Sequence, residues 1–175
     1  MKGRAVAVVN AEIVNALLEP VSAVLRAWTG DDRPPSRMEL ATELPPPPGI
    51  SVSIGVQGGL VGCITWNFEL PVARQIAANM LAHTGVQVEA ESCIDAVAEL
   101  ANVIAGNAVG VLSAAGYIVD ILPPETAVRI ETAPLPEKTL SVIYETPVGK
   151  LTMYISVDLA PPQAQDGKTI RSAGT

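Results

Sequence analysis

Glu99 and Asn102 stand three residues apart, and on a helix that spacing makes their side chains neighbours, about 5–6 Å apart at Cβ. The pair sets an acid beside an uncharged amide that both donates and accepts hydrogen bonds. Such a pair can hold and orient another group, but it contains no nucleophile with its base. Asp95 lies one turn earlier on the same stripe. Gly106 lies one turn later, where the missing side chain lets another backbone come close. E-x-x-N is in itself a weak pattern, since an acid and an amide on an exposed helix face are ordinary solvated residues. The surroundings are less ordinary. Ala101-Asn102-Val103-Ile104-Ala105-Gly106-Asn107-Ala108 places small residues where long charged ones fit easily. Two readings are open: close docking of a partner, or tight packing inside the domain.

The element that must position these residues reads as the longest helix of the chain, over 92–115. Ser92 predicts its N-cap, with Asp95 three residues on, and Gly116 predicts its stop. At about 100° per residue, Ile94, Val97, Ala101, Ile104, Ala105, Ala108 and Leu112 share one side and face the core. Asp95, Glu99, Asn102 and Gly106 fall together on another.

Around it, three- and four-residue spacing from Ile13 to Trp28 predicts an amphipathic helix over 10–28, kinked or broken at Pro20. The polar, proline-rich stretch from Thr29 to Gly49, with four consecutive prolines at 45–48, reads as a loop. Alternation over 50–56, the turn Gln57-Gly58-Gly59 and the run 60–68 predict a hairpin. Pro71 opens a helix to about His83 that buries Val72, Ile76, Met80 and Leu81 and stops at Gly85. His83, near that end, is expected on the last carbonyls rather than on a metal. Strands follow at 117–121, 127–132, 140–146 and 150–159, with Tyr117, Tyr144 and Tyr154 on strand faces and Pro147-Val148-Gly149 turning the last pair. Trp28 and Trp66 belong to the core or an interface. The fold class is therefore α+β, a largely antiparallel β-sheet with helices packed on one face, in the order α-β-β-α-α-β-β-β. Residues 1–160 are expected to form a single domain, and 161–175 a flexible tail.

Composition removes several function classes. The chain is 49% hydrophobic and only 3% aromatic over 175 residues, so aliphatic side chains must build one ordinary core. A net charge of -7 argues against nucleic acid and against an anionic membrane surface. No stretch is expected to span a bilayer. Met1–Val9 has a basic tip and a short apolar run, but Asn10 and Glu12 end it without a cleavage site, so it reads as a strand or helix lead-in. Cys63 and Cys93 sit inside apolar patterns, as buried free thiols in a reducing cytoplasm do. No His/Cys cluster has metal-ligand spacing, and no Gly-rich phosphate loop follows a strand.

Glu99-Leu100-Ala101-Asn102, continued by Ile104-Ala105-Gly106-Asn107-Ala108, resembles the signature helix of the CheC/CheX/FliY phosphatase family. The likeness extends to Asp95, to Leu112-Ser113-Ala114-Ala115-Gly116-Tyr117, to Pro123 and Pro124, and to the hairpin Gly58-Gly59-Leu60-Val61-Gly62 with its Pro71 helix. It covers most of the chain from about Glu12 to Leu159. It implies a CheC-like fold and a phosphatase that hydrolyses the aspartyl phosphate of a CheY-type response regulator in chemotaxis signalling. In that family the acid and the asparagine project into the active site of the phosphorylated receiver. Carried onto this sequence, Asn102 positions the attacking water and Glu99 pairs with the receiver lysine. Asp95 and Gly106 then face the partner, and Asn107 either touches it as well or satisfies backbone groups. The chain itself is expected to bind no cofactor, the Mg²⁺ belonging to the receiver.

Glu12-Ile13-Val14-Asn15 also matches E-x-x-N. It lacks the Ala/Gly-rich context and is interrupted by Pro20, so it reads as chance or as a relic. One active helix is the CheX arrangement, where CheC typically carries two. The resemblance further implies a cytoplasmic homodimer. The alternative is a non-catalytic receiver-binding or flagellar-switch-related interaction module, although the switch relatives lack the motif.

Overall fold

Asn10 starts the first helix by side-chain capping: its Oδ1 accepts from the backbone N–H groups of Glu12 at 3.0 Å and Ile13 at 3.3 Å. Helix α1 then runs Ala11–Thr29 and ends at Gly30, whose φ of 75° suits a residue without Cβ. The structure is a computed structural model that describes residues 10–30, 33–46, 48–128 and 131–161. The expectations for the N-terminal lead-in and for the tail beyond Pro161 lie outside those residues.

After α1 come strands β1 (Arg37–Leu44), β2 (Gly49–Gly58) and β3 (Leu60–Glu69), then helices α2 (Leu70–Leu81) and α3 (Ala90–Ala114). Strands β4 (Val119–Ile121), β5 (Glu125–Ala127), β6 (Ala133–Thr146) and β7 (Gly149–Leu159) complete the chain. The seven strands form one antiparallel sheet in the order β1-β6-β7-β3-β2-β4, with β5 also on β2. This is the α+β class that the periodicities predict.

Period-two alternation explains the buried face of the sheet. Ile50, Val52, Ile54 and Val56 of β2 turn inward, as do Leu151, Met153 and Ile155 of β7. They join Val21, Val72, Val97, Leu100 and Ile104 from the three helices in one core. Each such side chain contributes roughly 1.5–3 kcal/mol by leaving water.

Several local expectations are corrected. The stretch read as a loop contains β1, which pairs with β6 from Arg37↔Ile143 to Leu44↔Ala133. Of its eight residues only Leu44 is buried, so its stability comes from backbone pairing, which leaves no hydrophobic alternation to read. Strand β6 begins at Ala133 and carries Pro134 and Pro136. Its proline half pairs with β1 alone, an edge position where a missing N–H is tolerated. The strand expected at 127–132 is instead the short β5, and residues 129–130 are not described. Pro20 does not break α1: the helix continues through it, with the ring buried among apolar neighbours.

Other corrections concern helix ends. Ser92 is not the N-cap of α3, which starts one turn earlier at Glu89, and the Ser92 Oγ accepts the Glu89 backbone N–H at 3.4 Å. At the end of α2 it is Thr84, not His83, that serves a free carbonyl: its hydroxyl donates to the Leu81 C=O at 2.8 Å. Met80 is exposed rather than buried, and Ala73 and Ala77 take the inward positions. By length and composition alone α3 is apolar enough to cross a membrane, contrary to the expectation that no stretch is. Its apolar residues are instead the centre of the core, packed against α1, α2 and β2.

Candidate functional site

Helix α3 lies between α1 and α2 and over the sheet, so three of its sides are committed to packing. Cys93, Ala96, Val97, Leu100, Ala101, Ile104, Ala105, Ala108 and Leu112 are buried at three- and four-residue spacing. Ile94, expected in that set, is only partly buried, being at the edge of the packed face. The helix end is fixed by a Schellman arrangement. The Gly116 N–H donates to Ser113 C=O and the Tyr117 N–H to Leu112 C=O, with Gly116 at φ 94°.

One stripe of α3 is left over. Asp95 and Glu99 are exposed, Asn102 is half-buried, and Gly106, Asn107 and Gly110 are exposed. Glu99 and Asn102 thus stand side by side on the free face, as their spacing predicts. Neither side chain makes a hydrogen bond among the described residues, so both retain their full capacity for an outside group.

The two glycines bear on the readings left open by the small residues. A Cβ built on Gly106 or on Gly110 meets nothing within 4 Å. Packing inside the domain therefore does not require either glycine, although each destabilises a helix interior by about 0.8–1 kcal/mol relative to alanine. Gly110 was not singled out in the sequence, although its G-x-x-x-G spacing from Gly106 was visible. The alanines differ: Ala101, Ala105 and Ala108 are buried, and their small size serves helix packing.

The second E-x-x-N is built differently. The Tyr117 hydroxyl donates to Glu12 Oε2 at 2.9 Å, so that carboxylate is engaged within the chain. The bond, with desolvation behind it, raises the phenol above its ordinary pKa. Tyr117 is accordingly not on a strand face, as expected of it, but just beyond the helix that carries Glu99. Glu19 stands on α1 where Gly106 stands on α3, both seven residues after the motif's glutamate, and it puts a long acid in the approach.

The other candidates are structural. Trp66 is fully buried, Tyr144 and Tyr154 are buried on their strands, and Trp28 is partly buried at the end of α1. Cys93 is buried, and that burial pushes its thiol above its ordinary pKa, with Arg74 acting against it, as in a structural cysteine. Among the described residues no three His, Cys, Asp or Glu side chains come together as a metal site.

The sequence profile described as chemotaxis phosphatase CheX matches residues 50–139, from β2 into β6, and so includes all of α3. The chain belongs to the chemotaxis phosphatase CheX family. Among curated proteins it is similar to the CheY-P phosphatase CheX of Thermotoga maritima, 27% identical over 139 residues, which are 79% of this chain and 88% of the relative. Among solved structures its fold is similar to a CheC-like superfamily protein from Shewanella sp. PV-4. The TM-score is 0.74 at 23% identity, over 86% of this chain and 99% of that one. A similar match is the CheX in the CheX–CheY–BeF3–Mg²⁺ complex of Borrelia burgdorferi. Its TM-score is 0.68 at 22% identity, covering 83% of this chain and 97% of the other. At these identities the structural likenesses carry the CheC-like fold, and membership of the CheX family rests on the sequence profile.

Proposed function

We propose that this CheX-family protein hydrolyses the aspartyl phosphate of a CheY-type response regulator. The observation that carries the reading is the free stripe of α3. Glu99 and Asn102 project together, without a hydrogen-bond partner among the described residues, beside two glycines with open space at Cβ.

The chemistry is the addition of water to an acyl phosphate. The water oxygen bonds to phosphorus and the bond from phosphorus to the aspartate oxygen breaks. The partner regains its carboxylate, inorganic phosphate leaves, and the proton lost by the water goes to the phosphate product. The receiver brings the phosphoryl group, together with a Mg²⁺ that offsets its charge. What this chain adds is position, the main term available in phosphoryl transfer. The Asn102 amide accepts from the water through its oxygen and donates through its nitrogen, and so holds the water in line without adding charge. Ionised Glu99 pairs with the receiver's lysine and orients the two domains. Asp95, Gly106 and Asn107 extend the contact along α3.

The same reading places the protein in the cytoplasm, where its substrate is, and makes it a homodimer. The outer edge of β1 supports the latter, since Met38 and Leu40 are 55% and 61% exposed beside a strand edge with no partner among the described residues. The first test is phosphate loss from a phosphorylated receiver of the same cell with substoichiometric protein. Acceleration over many turnovers supports a phosphatase, and binding without acceleration supports a non-catalytic adaptor.

A further inference from the structure

Helical periodicity turns Met80 inward on α2, yet its side chain is 40% exposed and lines two clefts. The first, about 150 Å³, lies between the end of α2 and the start of α3, with Ala77, Leu81 and Ala96 as apolar walls and Asp95 as an acidic lip. The second, about 300 Å³, continues from Met80 toward Trp28 at the end of α1. At about 30 Å³ per water-sized group, the first cleft admits four or five heavy atoms, the size of one aliphatic side chain.

Asp95 joins this cleft to the Glu99–Asn102 stripe, because it belongs to both. It lies seven residues before Asn102, about 10 Å along the helix at 1.5 Å per residue. A protein partner of standard size covers about 800 Å² on each side, a disc roughly 16 Å in radius. A footprint centred on Asn102 therefore includes the cleft. Apolar anchors seated in pockets carry most of the energy of such interfaces, and methionine is enriched there because its side chain adapts to the partner.

We propose that the cleft walled by Met80, Leu81 and Ala96 takes an aliphatic side chain of the receiver domain, which makes Met80 a specificity-determining contact. The inference rests on the phosphatase reading. It adds that affinity for the receiver is set largely at the α2–α3 cleft, while turnover is set at Asn102.

The test is steady-state phosphate release against concentration of a phosphorylated receiver of the same cell, for wild type, Met80→Glu, Met80→Leu and Asn102→Ala. The expected result is a KM raised at least tenfold in Met80→Glu with kcat unchanged, most of that affinity restored in Met80→Leu, and a loss confined to kcat in Asn102→Ala. If Met80→Glu does not fold to the wild-type circular dichroism spectrum, Met80→Ser takes its place, with a rise in KM of at least threefold expected. A folded Met80→Glu or Met80→Ser protein with KM within twofold of wild type overturns the proposal and leaves the phosphatase reading standing. Conversion of a sedimenting dimer to monomer at unchanged KM also overturns it, by assigning the cleft to a second copy. A wild-type protein that accelerates no receiver removes the phosphatase reading, and the proposal falls with it.

Discussion

The phenol of Tyr117 donates to the Glu12 carboxylate at 2.9 Å, tying the start of α1 to the residue that follows the α3 stop. That bond separates two sequence patterns that look alike. Glu12 is held by its own chain, whereas Glu99 has no hydrogen-bond partner among the described residues. Glu12→Ala and Asn15→Ala are therefore expected to keep kcat/KM for the phosphorylated receiver within twofold of wild type. Glu12→Ala alone is expected to lower Tm, by a few degrees at most, and thermal melts alongside the phosphatase assay check both statements.

Gly106 links stability and docking in opposite directions. The site has room for a Cβ, so Gly106→Ala is expected to stabilise the protein by about 0.5–1 kcal/mol in urea unfolding. Gly106→Arg is expected to fold as well, since a Cβ at this position meets nothing within 4 Å. It places a long cation on the proposed docking face, and a loss of tenfold or more in kcat/KM should follow.

The sheet carries a separate, alkaline prediction. Burial pushes the Tyr144 phenol up to about 12 from its ordinary 10. The folded state therefore favours the neutral phenol. Its contribution is complete below about pH 10 and is lost as pH rises toward 12, amounting to roughly 2–3 kcal/mol across that window. Tyr144→Phe should melt with the wild type at pH 8 and lose less stability than the wild type between pH 10 and 12. Tyr154, also raised by burial, keeps part of the alkaline loss in the variant.

In the proposed mechanism Glu99 acts through its charge. Glu99→Gln keeps the shape of the side chain and removes the partner of the receiver lysine. The expected result is a fall of about tenfold or more in kcat/KM, with a shallower dependence on salt than wild type because one ion pair is gone. Equal salt dependence of the two proteins would remove the ion pair from the account.

What was legible in the sequence followed from burial. β2 alternates because Ile50, Val52, Ile54 and Val56 face the helices, and α3 shows its stripe because Val97, Ala101, Ile104 and Leu112 face the core. Elements that bury little left no such trace. In β1 nearly every side chain is exposed, and the first half of β6 is held by pairing at an edge that tolerates Pro134. Periodicity also cannot see what a neighbour covers. Met80 has the spacing of a core residue, but Ala73 and Ala77 supply the contact face of α2 and leave Met80 at its rim. In the candidate site, Glu99, Asn102 and Gly106 were readable from spacing. The engagement of Glu12 by Tyr117 was not, because 105 residues separate the partners.

The most direct test of the central claim is single-turnover phosphate loss from a phosphorylated CheY-type receiver saturated with wild-type protein or with Asn102→Ala. If Asn102 places the water, the variant keeps the wild-type circular dichroism spectrum and binds the receiver, and its rate falls by about 10²–10³. A folded, receiver-binding Asn102→Ala protein that releases phosphate at the wild-type rate would contradict the account and leave the free stripe of α3 as a docking face alone.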